Sequence, residues 1–248
     1  MLQDERHEMI LEQLKIKHAV KVNSLAKELG ISESTIRRDI NELDQMGKLK
    51  RVFGGAVSIS GDMTFGKTDV AQRTRINTEE KDKIARYAAA LINDNDFVFI
   101  DAGTTTEKMI PYLEKKNVTY VTNGITHAKK LIQRGLDVYI IGGLLRASTE
   151  AAIGSNAVES IKQYNFTKCF MGANGVDIDR GFTTPDIGEA AIKTAAMKQS
   201  YVSFVLADHT KFGLISSVTF AGLEDACIIT DHAENPQYRQ HTVIKEID

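Results

Sequence analysis

A helix that stops at Gly30 and a second that opens at Ser32 constrain this chain more than any other feature. Residues 23–29 place Leu25, Ala26 and Leu29 at helical spacing, with Asn23 or Ser24 as the expected cap. Gly30 supplies the left-handed backbone that ends a helix, and Ser32 has the side chain that caps the next one. The new helix covers Glu33–Gln45 and turns Ile36, Ile40 and Leu43 inward at spacings of four and three. An earlier helix over 4–16 carries Met9, Ile10, Leu11, Leu14 and Ile16, and Gly47 ends the third helix. Two short strands, 48–52 and 56–59, then flank Phe53-Gly54-Gly55. Helix, helix, turn, helix and small hairpin describe a winged helix-turn-helix.

With Ile36, Ile40 and Leu43 inside, Ser34, Thr35, Arg37, Arg38 and Asn41 face outward or flank the stripe. Arginine forks suit base edges, and short polar side chains suit phosphates. Ser32 belongs to the same surface, and Lys48, Lys50 and Arg51 add a basic cluster on the hairpin. An isolated Arg-Arg pair is commonly a solvated face, but the cap, the Gly-ended helix and the basic hairpin together turn the reading to DNA. Asp39 reads as a residue that orients an arginine. The chain's net charge is only −2, so any affinity for nucleic acid must come from this local patch.

A length of 248 residues accommodates two domains. We expect the winged helix-turn-helix, otherwise all-α, over 1–59 and a linker over 60–77 with a short helix near 70–75. From 78 to 248 strands alternate with helices, which predicts an α/β domain with a mostly parallel sheet. Helices are expected over 79–92, 106–114, 125–133, 155–163 and 185–199, with strands over 97–101, 118–122, 138–141, 168–171 and 202–207. The apolar runs at 97–100 and 138–141 suit burial on both faces. Cys169 and Cys227, each in an apolar run, read as buried free thiols of a reducing cytoplasm. No apolar run is long enough to span a membrane, and the first residues are charged rather than signal-like. The six histidines are scattered and the cysteines far apart, so neither a metal site nor a cofactor is expected.

Ligands of open α/β sheets bind at the carboxyl ends of the strands. Three such ends are polar and glycine-rich: Asp101-Ala102-Gly103-Thr104-Thr105-Thr106, Thr122-Asn123-Gly124 and Ile141-Gly142-Gly143. The first offers backbone N–H groups and hydroxyls for a phosphate, although a simple helix cap would read the same way. Gly172, Asn174, Gly175 and Asp177 follow another strand, and Asp208-His209-Thr210-Lys211 follows a later one. Lys211 and Lys193 are the candidate cations for an anionic ligand.

The stretches 22–26, 32–40 and Arg51-Val52-Phe53-Gly54-Gly55-Ala56 resemble the N-terminal domain of the DeoR family of bacterial transcriptional regulators. The family often carries His where Phe53 stands. The signposts Asp101 to Thr106, Thr122-Asn123, Gly142-Gly143 with Arg146, Gly154, Gly172 to Asp177 and Asp208 to Lys211 are similar to its effector domain. That domain looks like ribose-5-phosphate isomerase, which implies a phosphorylated sugar as ligand. Thr183-Thr184-Pro185-Asp186 and the run from Glu189 to Lys193 look most like the fructose-operon repressors of the family, which implies fructose 1-phosphate. The implied protein is a repressor that binds operator DNA as a homodimer or homotetramer. The alternative is a sugar-phosphate isomerase with a DNA-binding appendage. Against it, Asn174 and Gly175 replace an Asp-Glu pair of the isomerase, while Asp177 is kept and Glu189 and Asp101 remain as possible bases. The basic surface speaks against a protein-binding adaptor.

Overall fold

A computed structural model describes residues 2–17, 19–58, 70–114 and 117–247. The chain divides into two compact units between Gly61 and Asp62. The first contains α1 (Gln3–Lys17), β1 (Ala19–Lys21), α2 (Val22–Leu29), α3 (Glu33–Gln45), β2 (Lys50–Val52) and β3 (Gly55–Val57). Gly30 sits at φ +66° and its N–H returns to the Ala26 carbonyl. Ser32 Oγ accepts the Thr35 N–H at 3.3 Å, which fixes the start of α3. Ile36, Ile40 and Leu43 are buried with Ile10, Leu14, Leu25 and Leu49, so the expected inward stripe is the core of this unit.

Two local expectations change. Helix α2 starts at Val22 with no side-chain cap, because the unanticipated strand β1 runs straight into it. The Val22 N–H donates instead to the Gly54 carbonyl at 2.9 Å. Strand β3 lies between β1 and β2, and a Cβ at Gly55 would fall 2.0 Å from the Val20 oxygen, so this pairing requires glycine there. Asp39, in turn, is buried and receives a two-pronged bond from Arg6 of α1, at 2.8 and 2.9 Å, so the arginine it holds is neither Arg37 nor Arg38. Ile59 and residues 60–69 of the expected linker lie outside the described residues.

The second unit opens with α4 (Val70–Arg75), α5 (Thr78–Ala90), β4 (Phe97–Ile100), α6 (Thr104–Glu107), β5 (Thr119–Thr122), α7 (Ile125–Gln133) and β6 (Asp137–Ile140). The hairpin β7 (Leu144–Arg146) and β8 (Ala151–Ile153) follows, then α8 (Ser155–Ile161), β9 (Phe166–Gly172), β10 (Gly175–Asp177) and β11 (Gly181–Thr184). The unit closes with α9 (Ile187–Lys198), β12 (Ser200–Leu206), β13 (Val218–Ala221), β14 (Cys227–Thr230) and β15 (Ile244–Glu246). Seven strands form one sheet in the order β15-β14-β12-β9-β4-β5-β6, with every pairing parallel. Phe99, Val121, Met171 and Val205 pack on one face, and Val98, Ile100, Tyr120 and Phe170 on the other. Burying side chains of this size stabilises by about 1.5–3 kcal/mol each, which holds the strand ends in fixed register. Strands β10, β11 and β13 form a small antiparallel sheet.

The helix expected over 106–114 is instead the short α6 followed by a 3-10 turn at Ile110–Tyr112, since Pro111 has no N–H to continue an α-helix. The strand expected to be buried on both faces near 138–141 is β6, at the sheet edge, where Tyr139 is 58% and Ile140 49% exposed. Cys169 is buried, and desolvation pushes its thiol up to about 11, whereas Cys227 is only partly buried. No helix among the described residues is long and apolar enough to cross a membrane.

Candidate functional site

The first unit keeps all nine residues expected to face DNA at its surface. Ser32, Ser34, Arg37, Arg38, Lys48, Lys50 and Arg51 are exposed, and Thr35 and Asn41 are half-buried. Ser32 Oγ lies 2.9 Å from Ser34 Oγ and 2.8 Å from Thr35 Oγ1, a cluster of hydroxyls at the start of α3. Arg51 of the hairpin donates to Asn41 Oδ1 at 2.7 Å, joining hairpin and helix. Arg37 and Arg38 are steadied by Glu33 at 3.1 Å and Glu42 at 3.4 Å, each one helical turn away. Phe53 stands fully exposed at the hairpin tip. The same fold brings His7 within 3.6 Å of Asp39 and 3.8 Å of Glu42. This trio has the ligand types of a cation site, but the Arg6 guanidinium already takes both Asp39 oxygens.

In the second unit a cavity opens where β4, β5 and β9 end. Its floor is the Asp101 carboxylate, which accepts from Lys193 Nζ and from the Gly172 N–H at 3.2 Å. Lys193 also donates to the Gly172 carbonyl at 2.9 Å and stands 5.5 Å over the Phe220 ring. The loop after β4 is pinned from several sides. Thr106 Oγ1 accepts the Gly103 N–H at 3.0 Å and donates to the Asp101 carbonyl at 2.6 Å. Asn123 Oδ1 accepts the Ala102 N–H at 3.0 Å. His127 Nε2 lies 3.1 Å from the Gly103 carbonyl, the geometry of an N–H donor. Burial lowers the pKa of that imidazole despite nearby Glu107 and Asp101, which favours the neutral ring. These bonds leave the N–H groups of Thr104 and Thr105 without an acceptor among the described residues.

Four cations and two carboxylates, Asp101 and Glu189, line the cavity. Lys193 is neutralised by Asp101. Lys81 is buried and donates to the carbonyls of Arg73 at 2.5 Å and Ile76 at 2.8 Å, and burial lowers its pKa. Lys211 lies 3.9 Å from Asp208. Burial works to raise the Asp208 carboxyl, yet Lys211, Thr210, Asn77 and Lys81 hold it below the ordinary value. The fourth cation is Arg73 of α4, whose buried Nε has no hydrogen-bond partner. Positive charge therefore exceeds negative charge around a polar cleft, which suits an anion.

Asp101, Gly103, Thr104, Thr105, Asn123, Gly172, Asn174, Lys193 and Lys211 all line this cavity. Five other residues expected to meet a ligand do not line it. Thr106 is buried under the loop it pins. Gly142 and Gly143 follow the edge strand β6, and a Cβ at Gly143 would lie 2.6 Å from the Ile153 oxygen. Gly175 passes close to the Leu214 carbonyl, which a Cβ would approach to 2.1 Å. Asp177 accepts the N–H groups of Asp179 and Arg180 in the turn after β10. Arg73 and Lys81 were not anticipated: one lies in the stretch read as linker, the other reads as a solvated helix lysine. Only a spacing that the fold creates, not one the sequence displays, gathers them.

Residues 6–62 match the DeoR-like helix-turn-helix domain, and residues 76–232 match the DeoR C terminal sensor domain. FruR of Bacillus subtilis, described as an uncharacterized HTH-type transcriptional regulator, is 43% identical over 251 residues, covering 100% of this chain and 99% of its own. IolR of the same organism is 34% identical, over 90% of this chain and 88% of its own. The lactose phosphotransferase system repressor of Staphylococcus aureus is 30% identical over the full length of both chains. Among solved structures, ribose 5-phosphate isomerase A from Methanocaldococcus jannaschii has a TM-score of 0.42 and 17% identity, over 55% of each chain. With a helix-turn-helix in one unit and a sensor domain in the other, the chain belongs to the DeoR family of transcriptional regulators.

Proposed function

We propose that this regulator represses a sugar-catabolic operon, that of fructose, and leaves its operator when fructose 1-phosphate fills the strand-end cavity. The observation that carries the reading is the pairing of two cations, Arg73 and Lys211, with the unbonded N–H groups of Thr104 and Thr105 in one cleft. A phosphate needs that combination: several donors with fixed geometry and surplus positive charge. Asn174, Glu189 and Asn123 then offer acceptors and donors to the hydroxyls of the sugar. The full-length relative named FruR and the fructose-repressor resemblance of 183–193 favour fructose 1-phosphate within the class.

Operator contacts fall to Ser32, Ser34, Thr35, Arg37, Arg38, Asn41, Lys48, Lys50 and Arg51. One winged helix reads few base pairs, so specificity comes from a homodimer or homotetramer on repeated half-sites. Effector release requires that the phosphosugar bind the free regulator more tightly than the operator-bound one, with a coupling of about 1–3 kcal/mol carried through residues 60–77. The test is operator binding titrated against a panel of sugar phosphates. Release by fructose 1-phosphate at the lowest concentration is the expected result, and no response to any sugar phosphate overturns the reading. The isomerase alternative predicts turnover that is lost in Glu189→Gln.

A further inference from the structure

Arg73, Ala102, Gly103 and Thr104 line two spaces, not one. The cavity at the ends of β4, β5 and β9 offers about 50 Å³, whereas the chamber beside it offers about 290 Å³. The larger chamber is walled by the first residues of α7 and by the turn between β7 and β8, residues 147–150. That turn is fastened to α7: the Glu150 carbonyl accepts the Ile125 N–H at 2.9 Å, and the Glu150 carboxylate accepts the Thr126 hydroxyl. Glu150 holds φ +50°, a left-handed conformation that a non-glycine residue keeps only where its surroundings fix it. Two residues of the lining, Thr149 and Arg73, carry a buried polar atom, Oγ1 and Nε, with no hydrogen-bond partner among the described residues. Folded proteins rarely leave such atoms unpaired, and each calls for a partner.

Charge separates the two spaces. Four cations face two carboxylates around the smaller one. Among the described residues the larger has one cation, the shared Arg73, and two carboxylates, Glu107 and Glu150, with Glu107 held by Lys130. Its other polar side chains are hydroxyls, Ser148 and Thr149 among them, and the His127 imidazole. Carboxylates and hydroxyls without surplus positive charge suit the hydroxyls of a sugar and oppose a second phosphate.

We propose that the larger chamber receives the hydroxylated carbon chain of the phosphosugar, a reading that rests on the proposed function. The phosphate stays in the smaller cavity, with Lys211 and the Thr104 and Thr105 N–H groups. Asn123, Asn174 and Glu189 meet the carbons next to it, and Arg73, whose guanidinium has five donors, serves both spaces. The ligand class follows from this division. A hexose monophosphate fills both spaces, a triose phosphate ends in the smaller one, and a sugar bisphosphate brings its second phosphate against Glu107 and Glu150. Thr149 and Glu150 are then specificity residues, which read what the phosphate is attached to.

Calorimetric titration of the full chain with fructose 1-phosphate, dihydroxyacetone phosphate and fructose 1,6-bisphosphate tests the division. Dihydroxyacetone phosphate keeps the phosphate and ketone end and lacks the three carbons beyond it. Wild type is expected to bind fructose 1-phosphate more tightly than either of the others. Thr149→Val, which keeps the shape and removes the hydroxyl, is expected to raise the dissociation constant for fructose 1-phosphate about three- to tenfold, the loss of one hydrogen bond. Its constant for dihydroxyacetone phosphate should not move. Glu150→Gln is expected to narrow the gap between bisphosphate and monophosphate, and unaltered circular dichroism shows that both variants fold. A wild type that binds the triose phosphate or the bisphosphate as tightly as fructose 1-phosphate overturns the inference. So does a Thr149→Val variant that weakens both monophosphates equally or neither. Those outcomes leave the effector assignment standing, whereas a wild type that binds no sugar phosphate removes both.

Discussion

The charges of the two units are held in opposite ways. In the first, Arg37 and Arg38 are 59% and 81% exposed and lean on glutamates one helical turn away. In the second, Lys193 and Asp101 are both nearly buried and meet across 92 positions of sequence. Exposed arginines of the first kind contribute little to folding and remain available to a partner. A buried pair of the second kind is committed to the fold, since either member alone would be an unsolvated charge. The difference separates a surface whose charges stay open to a partner from a cavity whose charges are already committed to one another.

The comparison breaks most visibly at Lys193. Lys193→Met leaves the Asp101 carboxylate buried without its cation, and we expect the sensor unit to lose about 3–5 kcal/mol of stability in denaturant unfolding. The helix-turn-helix unit should unfold as before. A loss below about 1 kcal/mol would mean that Asp101 is satisfied by the Gly172 N–H alone. Lys211 tests the other half of the same cavity, because it borders the cleft with Thr210 Oγ1 at 3.5 Å and Asp208 at 3.9 Å, both at the long end of contact. If the proposed effector, fructose 1-phosphate, bonds Lys211, Lys211→Ala should raise the concentration needed for half-release by roughly 10- to 150-fold, from a lost charged hydrogen bond of about 1.5–3 kcal/mol. Operator affinity without effector should stay the same. An unchanged release midpoint in a fluorescence titration would take Lys211 out of the site.

On the exposed side of the comparison the effects reverse. Arg38→Ala should weaken operator binding by about 1–3 kcal/mol and shift the unfolding midpoint by less than about 0.5 kcal/mol. A variant that bound operator normally in a gel shift would remove the main DNA contact proposed for α3.

The same contrast explains what could be read in advance. The helix-turn-helix was legible because its signals are local: the Gly30 turn, the Ser32 cap and the Ile36-Ile40-Leu43 stripe each lie within one or two helical turns. The alternation of strands and helices placed the strand ends, and with them Gly103, Thr104, Asn123 and Lys211. What failed was non-local. Nothing in the sequence says that β6 lies at an edge, so its apolar run read as a buried strand. Gly142, Gly143 and Gly175 read as ligand glycines; they do not line the cavity, and the fold brings backbone close to the last two. Arg73 and Lys81 join the cavity only because α4 and α5 fold against it, Lys81 tying the two by its bonds to Arg73 and Ile76.

The smallest expected effect lies at the margin between these two kinds of charge. His209 is 47% exposed in its side chain, yet its Nδ1 bonds Asp231 at 2.5 Å, and that hydrogen bond raises its pKa above the usual value against a modest desolvation. A histidine whose folded pKa is raised stabilises the fold fully below its unfolded pKa, about 6.5. That contribution is lost as pH rises through the raised folded value. The sensor unit should therefore lose a small part of its stability on going from mildly acidic to mildly alkaline conditions. His209→Asn should flatten that slope and leave stability at alkaline pH nearly unchanged. Solvent screening keeps the effect well below that of Lys193, because nearly half of the ring is in water. Unfolding midpoints measured across that range decide the matter. An equal slope in wild type and His209→Asn would show that the Asp231 bond carries no net charge interaction, and that exposure, rather than geometry, sets what an ion pair contributes in this unit.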